Sequence, residues 1–136
     1  MSAPRANSAR PIASLHGGGT HTCARFDDGG VACWGDNDRG TLGIGSTEDV
    51  GDHVHDLAHL VDVDVGGPIE QLSVGGEHSC ALLTSGALRC WGYNRDGALG
   101  YGGTEPEACK AGCEAGALCC VGDDEPPSAL EPVQVL

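Results

Sequence analysis

Two pairs of cysteines with equal spacing are the first candidates for chemistry in this 136-residue sequence. Cys33 follows Cys23 by ten residues, and Cys90 follows Cys80 by ten. Thiols placed in this way either form a disulfide bond within each pair or stay reduced and pack as small apolar groups. The outcome depends on whether the fold holds the paired sulfur atoms side by side.

Four further cysteines lie close together near the C-terminal end: Cys109, Cys113, Cys119 and Cys120. As thiolates, such a cluster can bind a metal ion, and in an oxidising environment it can form two internal disulfides. The cysteines elsewhere and the adjacent Cys119 and Cys120 favour disulfides. The spacing does not choose among the three possible pairings.

An acidic segment rich in histidine, D-H-V-H-D-L-A-H, is a second candidate for metal binding. In an extended chain His53 and His55 share a face, and in a helix His55 and His59 do. Imidazoles so placed can bind zinc or copper, but the spacing fits no standard site and favours a solvated loop. Five acidic residues in glycine-containing loops are candidates for loose calcium binding: Asp49, Asp52, Asp123, Asp124 and Glu125. Their spacing is not that of an established calcium-binding loop, so solvated loop charges are favoured.

Histidine and tryptophan also recur at matching places. His21 and His78 each follow Gly-Gly, and no nucleophile, base and orienting group accompany them. We therefore predict buried imidazoles that bond to nearby backbone. Trp34 and Trp91 could stack on a sugar or a peptide, but each lies between a cysteine and a glycine. This setting favours a place in the core, with an indole N–H that needs a partner.

These residues recur because the sequence repeats. Pro11–Gly43 aligns without a gap with Pro68–Gly100, and about half of the aligned positions are identical. A period of 57 residues, in which each repeat is one supersecondary unit, indicates a propeller or a solenoid. The 23 glycines and the low aromatic content of 4% favour short strands joined by tight turns.

Each repeat contains three predicted strands: Ile12–His16, His21–Phe26 and Val31–Trp34, then Ile69–Val74, His78–Leu83 and Ala87–Trp91. Leu42 is predicted as the buried anchor of the loop after the first set. The alternating residues Leu60–Val65 predict a half-buried strand that begins the second repeat. The last residues, Leu130–Leu136, resemble them and would open a third unit, which either completes another copy or caps this one.

The hairpin loops predict where the paired cysteines lie. Asp27–Gly29 and Thr84–Gly86 read as three-residue loops closed by a glycine in the left-handed region. This loop length places the two cysteines of each pair directly opposite each other. Opposed residues lie about 4.5 to 5.5 Å apart at Cα, and a disulfide accepts about 4.4 to 6.8 Å. We therefore predict a cross-strand disulfide in each hairpin.

The compound pattern G-G-x-H-[TS]-C-A followed by C-W-G-x-N-x-x-G-x-L-G resembles the repeat of the regulator-of-chromosome-condensation family, most of all its bacterial cysteine-containing variants. In the first copy it is carried by Gly18, Gly19, His21, Cys23, Ala24, Gly29, Cys33, Trp34, Gly35, Asn37, Gly40, Leu42 and Gly43, with the same residue types 57 positions later. The resemblance implies a β-propeller of about seven blades, one per repeat. It also implies a binding platform whose activities reside in loops. The founding member exchanges guanine nucleotide on a small GTPase and binds chromatin.

The composition limits the classes of partner that the chain can bind and indicates its cellular compartment. The formal net charge of −13 repels phosphate, which argues against nucleic acid and anionic membranes. No apolar run reaches the roughly 20 residues that span a bilayer. Eight cysteines favour an oxidising, extracytoplasmic location. Met1–Ala13 has no apolar core of a signal peptide. The chain is then a fragment, which we favour, or it is exported by another route, or its thiols stay reduced.

The predicted fold is all-β, with two consecutive antiparallel blades of an incomplete propeller. The predicted segments are a disordered lead-in (1–10), a first blade (11–59), a second blade (60–104), a Cys-rich insert (105–120), and a linker with the first strand of a third unit (121–136).

The predicted function is a non-enzymatic protein-binding module, a partial propeller scaffold of an exported bacterial protein, with no cofactor and an unknown protein partner. Self-association or additional blades would close the propeller. One alternative is an inhibitor or regulator that acts through the Cys-rich insert. Another is a metal-binding protein that uses His53, His55 and His59 or the cysteine cluster.

Overall fold

Two antiparallel sheets, one for each repeat, make up the described part of the chain. The computed structural model describes residues 10–51, 60–94, 98–99, 120–122 and 126–133. Its strands are β1 (Ile12–Gly17), β2 (His21–Phe26), β3 (Val31–Gly35), β4 (Ile69–Val74), β5 (His78–Leu83), β6 (Leu88–Tyr93) and β7 (Cys120–Val121), followed by a 3-10 turn at Pro127–Ala129. The strand orders are β1-β2-β3 and β4-β5-β6-β7. The predicted all-β antiparallel fold is confirmed.

The two sheets share a detail that the sequence did not predict. In the β1–β2 ladder the register shifts between Ile12 and Ser14, and in the β4–β5 ladder it shifts between Ile69 and Gln71. Each first strand therefore carries one extra residue at the same repeat position, which is a β-bulge.

No helix among the described residues is long and apolar enough to cross a membrane.

The hairpin loops have the predicted three-residue geometry. Gly29 and Gly86 have φ of 91° and 95°, the left-handed conformation that glycine adopts without steric cost. The Phe26 N–H donates to the Gly30 carbonyl at 2.9 Å, so the pairing begins one residue beyond each side of the loop. This register fixes every pair farther along the hairpin.

The register places the cysteines opposite each other, as predicted. Cys23 pairs with Cys33 and Cys80 with Cys90. Ladder bonds alternate along the hairpin, so these are non-hydrogen-bonded pairs, the type in which the strands come closest. The Cα atoms lie 4.0 Å apart in both hairpins. The sulfur atoms lie 2.07 and 2.08 Å apart, which is disulfide-bonding distance.

A buried asparagine organises the loop that follows β3. The Asn37 side-chain oxygen accepts the Leu42 N–H at 2.9 Å, and its amide nitrogen donates to two carbonyl oxygens of the loop. Leu42 is fully buried, as predicted. In the second repeat the oxygen of Asn94 accepts the Leu99 N–H at the same 2.9 Å. The N-x-x-G-x-L part of the motif therefore encodes a loop that closes on its own asparagine.

Residues 60–65 differ from the predicted first strand of the second repeat. They run beside β3 of the first sheet, where the Val63 N–H donates to the Val31 carbonyl at 2.8 Å and Asp62 forms one isolated bridge. Val63 and Val65 are buried, in keeping with the alternating pattern. The prediction identified the buried side chains but not the sheet to which they attach.

The C-terminal segment repeats this arrangement on the second sheet. The Val133 N–H donates to the Leu88 carbonyl at 2.8 Å, which matches the bond between Val63 and Val31. The described part of the segment thus lies along β6 of its own chain. Residues 134–136 lie outside the described residues, and the domain limits stay a prediction.

The two sheets meet along a seam. The front face of the first sheet, which carries His21 and Cys23, contacts the back face of the second sheet, which carries Ile69, Leu72 and Ser79. One hydrophobic core crosses the seam and contains buried residues of both repeats, among them Cys23, Val31, Leu42, Ile69, Leu72, Ala81 and Trp91. Neither sheet therefore encloses a core of its own on this side.

Backbone contacts hold the seam at two places. The Ile69 N–H donates to the Gly29 carbonyl at 2.8 Å, and the Gly19 N–H donates to the Gly76 carbonyl at 3.1 Å. The sheets approach closely here because glycine has no side chain. A Cβ atom on Gly19 would lie 2.8 Å from the Gly76 oxygen. This contact gives a reason for the Gly-Gly of the motif.

The tryptophans differ in burial although their repeat positions are equivalent. Trp91 is fully buried, as predicted, and lies against Gly43 and Val63 of the first repeat. Its indole N–H has no hydrogen-bond partner among the described residues, contrary to expectation. Trp34 is only partly buried, which corrects the prediction for this residue. The described residues place no other repeat against it.

His21 lies in the seam and is buried. Its Nε2 lies 2.8 Å from the Ser79 hydroxyl, so its partner is a side chain of the next repeat and not the predicted backbone group. Burial lowers the pKa of His21 from 6.5 to about 4, and the nearby His78 adds to this effect while Asp36 opposes it. The seam therefore favours the neutral imidazole.

We expect the seam glycine to be sensitive to a single methyl group. Gly19→Ala should lower the free energy of unfolding by about 1 to 3 kcal/mol, because the added atom overlaps the backbone of the next repeat. Gly76→Ala is the matched control, since a Cβ there meets nothing within 4 Å. It should change stability by less than about 0.5 kcal/mol in dilute solution. Urea denaturation of both variants measures this, and equal losses would contradict the seam.

His21 should make the fold sensitive to acid. Its pKa is lower in the folded chain than in the unfolded chain, so the unfolded chain binds the proton first as the pH falls. This contribution to stability is complete above pH 6.5 and is lost as the pH falls to about 4. Urea midpoints measured across this range should fall less steeply in His21→Gln than in the wild type. His78→Gln removes only the smaller contribution to this pKa shift, so it should keep more of the wild-type slope than His21→Gln does. An unchanged slope in His21→Gln would refute the assignment.

The hairpin disulfides should protect their thiols. Alkylation of the unfolded chain without reductant should leave Cys23, Cys33, Cys80 and Cys90 unlabelled, and labelling after reduction should reach all four. Each bridge closes a loop of ten residues and should stabilise the fold by about 3 kcal/mol at most. Peptide mass spectrometry reads the outcome. Labelling of these four sites before reduction would show that the bridges are absent.

Candidate functional site

An open groove of about 420 Å³ lies at the hairpin-loop end of the first sheet. Arg10, residues 28–30 of the β2–β3 loop and residues 62–68 line it. The groove thus lies where the first hairpin meets the connection between the repeats. Its charged side chains are Arg10 and three carboxylates: Asp28, Asp62 and Asp64.

Arg10 holds two of these carboxylates together. Its guanidinium donates two hydrogen bonds to Asp28, at 2.9 and 3.1 Å, and two to Asp62, at 2.8 and 2.9 Å. The same group lies over the Phe26 ring, with Cζ 4.0 Å from the ring centroid. Such two-pronged pairing fixes direction as well as distance. Arg10 was predicted to belong to a disordered lead-in, but these contacts tie it to the first sheet.

The clamp stabilises the charged forms of Arg10 and Asp28. Hydrogen bonds from Arg10, and then from the Gly30 N–H, lower the pKa of the Asp28 carboxyl. Hydrogen bonds to Asp62 and Asp28 raise the pKa of the Arg10 guanidinium. The remaining carboxylate, Asp64, accepts the Gly66 N–H at 3.2 Å. Carboxylates outnumber cations here, so the groove favours positively charged ligands.

Sequence reasoning missed this site, although a comparison of the two repeats contains its signal. Arg10 and Asp62 are 52 residues apart, and no short motif joins them. At the equivalent positions of the second repeat stand Gly67, Ser85, Ala87 and Pro132 in place of Arg10, Asp28, Gly30 and Asp62. Gly30 matters because a Cβ there would lie 2.7 Å from the Asp62 oxygen. The groove therefore belongs to the first repeat.

His21 and Ser79 have the spacing of a base and a nucleophile, at 2.8 Å. Both are buried in the seam, His21 at 3% exposure and Ser79 at 0%, so a substrate cannot reach them. The Nδ1 atom of His21 has no partner among the described residues, so no carboxylate orients the ring. The pair joins the two sheets.

Three carboxylates meet near the loop after β3. The oxygens of Asp36, Asp38 and Asp49 lie within 4.8 Å of one another. Sequence analysis singled out Asp49 but not the other two. Asp49 accepts the Asn37 N–H at 2.8 Å and Asp36 accepts the Asp38 N–H at 3.0 Å. These two carboxylates therefore stabilise the backbone of the loop. The other acidic candidates, Asp52, Asp123, Asp124 and Glu125, lie outside the described residues.

The remaining candidates fall mostly outside the described residues. These are His53, His55 and His59 of the acidic segment, and Cys109, Cys113 and Cys119 of the insert. Cys120 is described: it is buried in β7, opposite Tyr93 of β6, and it is disulfide-bonded. The end of the insert is thereby fixed beside β6 as the outer strand β7 of the second sheet.

Family models match the repeated region. The regulator of chromosome condensation (RCC1) repeat matches residues 12–41 and 69–98, and a second model of the same repeat matches residues 28–82. Together they span strands β1 to β6 and the connection between the two sheets.

Curated relatives match over a small part of their length. The X-linked retinitis pigmentosa GTPase regulator of Mus musculus is 40% identical over 83 residues, which are 61% of this chain and 8% of that protein. The ultraviolet-B receptor UVR8 of Arabidopsis thaliana is 35% identical over 100 residues, which are 68% of this chain and 22% of that protein. The chain thus spans less than a quarter of either relative.

Solved structures support the fold. Yeast RCC1 (Prp20), bound to Kap60, matches with a TM-score of 0.62 and 19% identity over 87% of this chain and 25% of that one. Human WBSCR16 matches with a TM-score of 0.57 and 16% identity over 82% of this chain and 24% of that one. The sheets therefore have the arrangement of consecutive propeller blades, and the chain belongs to the regulator of chromosome condensation (RCC1) repeat family.

Proposed function

We propose that the chain is a non-enzymatic protein-binding module whose sheets hold a recognition surface at the hairpin-loop end. The observation that carries this proposal is the open groove clamped by Arg10. The histidine and serine that could act in catalysis are buried in the seam, whereas the charged groups at the loop end face an open groove. Recognition surfaces commonly lie on loops that a rigid scaffold positions.

The charge of the groove defines the class of partner. The chain carries a formal net charge of −13, and carboxylates outnumber cations in the groove. A partner that presents lysine or arginine side chains would be attracted to this surface and oriented on it. Related proteins support a binding role: one solved structure is of yeast RCC1 bound to Kap60, and another concerns the binding of Prp20p to Gsp1p and histones.

A second candidate surface is the Cys-rich insert at residues 105–120. Cys120 supports it, because this residue is disulfide-bonded and pairs with Tyr93 of β6 in the second sheet. An insert anchored in this way could present an epitope of an inhibitor or regulator. A metal-binding role for the histidine segment has no support from the described residues, and we do not propose it.

We also propose an extracytoplasmic location. Two cysteine pairs at disulfide-bonding distance support it, since such bonds persist in oxidising compartments. The further proposal that the source is a bacterium rests on the resemblance of the cysteine-containing repeat.

Site-specific photo-crosslinking separates the two candidate surfaces. A benzophenone side chain is introduced at Asp64 in the groove, at Lys110 in the insert, or at the control position Glu70, which is exposed on β4. Each purified chain is incubated with the extracytoplasmic fraction of the source cells and irradiated. We expect a discrete adduct from position 64, weakened by high salt because the attraction is electrostatic.

The remaining outcomes decide between the proposals. An adduct from position 110 without one from position 64 would assign binding to the insert. Identical adducts from all three positions would show nonspecific capture. The absence of any adduct from positions 64 and 110 would refute the binding proposal for both surfaces.

A further inference from the structure

Three polar side chains meet on the front face of the first sheet: Ser14 and His16 of β1 and Arg25 of β2. Arg25 follows Cys23 by two residues, so both side chains lie on this face. The Ser14 hydroxyl lies 2.9 Å from His16 Nε2, and the Arg25 Nε–H donates to the same hydroxyl oxygen at 3.2 Å. All three residues are only partly buried. The hydroxyl therefore joins an imidazole to a guanidinium at a place that solvent reaches.

The β-bulge of β1 brings Ser14 to this face. The register shifts just before Ser14, so that Ala13 is an extra residue and Ser14 pairs with Arg25. Without the shift Ser14 would pair with Ala24, whose side chain is buried on the other face of the sheet. Bulges commonly re-aim a side chain in this way.

The sheet itself does not require this group of side chains. At the equivalent positions of the second repeat stand Gln71, Ser73 and Leu82. The second sheet nevertheless has the same bulge, the same strand pairing and the same hairpin. The group of Ser14, His16 and Arg25 is therefore particular to the first repeat, and the shared fold does not explain it.

The group is accessible with the next repeat in place. The second sheet packs on the front face of the first, so the exposure of the group is what remains after this packing. β1 is an edge strand of its sheet, and the equivalent strand β4 is an edge strand too. Residues 60–65 precede β4 but lie beside β3 of the first sheet. The edge position of β1 therefore follows from the form of the repeat.

Arg25 is bonded differently from the other arginines in the described part of the chain. Arg10 and Arg39 pair with carboxylates, and Arg89 donates to backbone carbonyl oxygens. Among the described residues Arg25 donates only to the Ser14 hydroxyl, through Nε. Its two terminal nitrogens thus have no acceptor among these residues. A planar pair of guanidinium nitrogens matches the two oxygens of a carboxylate.

We propose that Ser14, His16 and Arg25 form a binding site for a small carboxylate. Arg25 binds the two carboxylate oxygens, Ser14 orients the guanidinium through Nε, and His16 orients the Ser14 hydroxyl. The chain's net charge of −13 repels polyanions, and a ligand with a single carboxylate meets the least of this repulsion. The site is separate from the Arg10 groove and does not depend on the function proposed for it.

The serine and histidine position the arginine and are not catalytic residues. Among the described residues no carboxylate bonds to the His16 ring, so the third member of a catalytic triad is missing. The Ser14 oxygen also accepts the Arg25 Nε–H, which engages a lone pair that a nucleophile would need.

NMR titration of the oxidised, 15N-labelled chain tests the site. Acetate is the probe, and chloride at the same ionic strength is the reference. The Arg25 Nε–H signal is assigned by its loss in Arg25→Lys. This signal and the backbone amide signals of residues 14–16 should shift saturably with acetate and should not shift with chloride.

Variants test the role of each side chain, with the amide signals of residues 14–16 as the readout and the dispersed amide spectrum as the check of folding. Arg25→Gln should abolish the acetate-dependent shifts. Arg39→Gln removes the same charge from an arginine that already has a carboxylate partner, so it is the matched control and should bind acetate like the wild type. Arg25→Lys keeps the charge without the planar pair and should raise the dissociation constant about fivefold or more.

Ser14 variants test the positioning of Arg25. Ser14→Ala removes the hydrogen bond that orients the guanidinium and should raise the acetate dissociation constant about threefold to tenfold. Ser14→Thr keeps the hydroxyl and should restore most of the affinity. An Ala variant that binds like the wild type would remove the positioning role.

Three results would overturn the carboxylate site. One is the absence of a saturable shift with acetate in the wild type. Another is an equal loss of binding in Arg25→Gln and Arg39→Gln, which would attribute the shifts to net charge. The third is tighter binding of inorganic phosphate than of acetate at the same ionic strength, which would assign the site to another class of anion.

Discussion

The structure depends on the close approach of two backbones at the seam. Gly19 and Gly29 bring the first sheet against the second, and their peptide groups exchange hydrogen bonds with the neighbouring repeat. Each short hairpin buries little apolar surface by itself, and the shared core at this seam is larger than the small cluster of Ala24, Phe26 and Ala32 on the other face of the first sheet. Glycine is required there because any side chain would hold the sheets apart.

The seam also decides which residues can act on other molecules. His21 and Ser79 lie at a distance suited to proton transfer, but burial and the neutral imidazole make them a structural joint between the sheets. The sulfur atoms of the first hairpin face the same seam, and the Cys23 sulfur lies 3.7 Å from the Ser79 hydroxyl. Residue types that suggest chemistry thus serve here to join the two sheets.

The two repeats have the same strands and hairpins but differ in the residues and insertions around them. Both contain the bulged first strand, the three-residue hairpin and the asparagine-closed loop. The guanidinium clamp belongs to the first repeat, and the Cys-rich insert belongs to the second. This division is physically reasonable, because changes in the strands disturb the packing of a neighbouring sheet, whereas the side chains of Arg10 and Asp62 lie outside the shared core.

The sequence determined the strands, the hairpin register and the opposition of Cys23 to Cys33, because these follow from local alternation and from a glycine at a fixed place in the loop. It did not determine that residues 60–65 attach to the first sheet, since alternation identifies a buried face but not its partner. It also did not reveal the pairing of Arg10 with Asp62, because only folding brings these distant residues together. The different burial of Trp34 and Trp91 was likewise a tertiary outcome, since equal motifs acquire unequal neighbours once one sheet packs against the other.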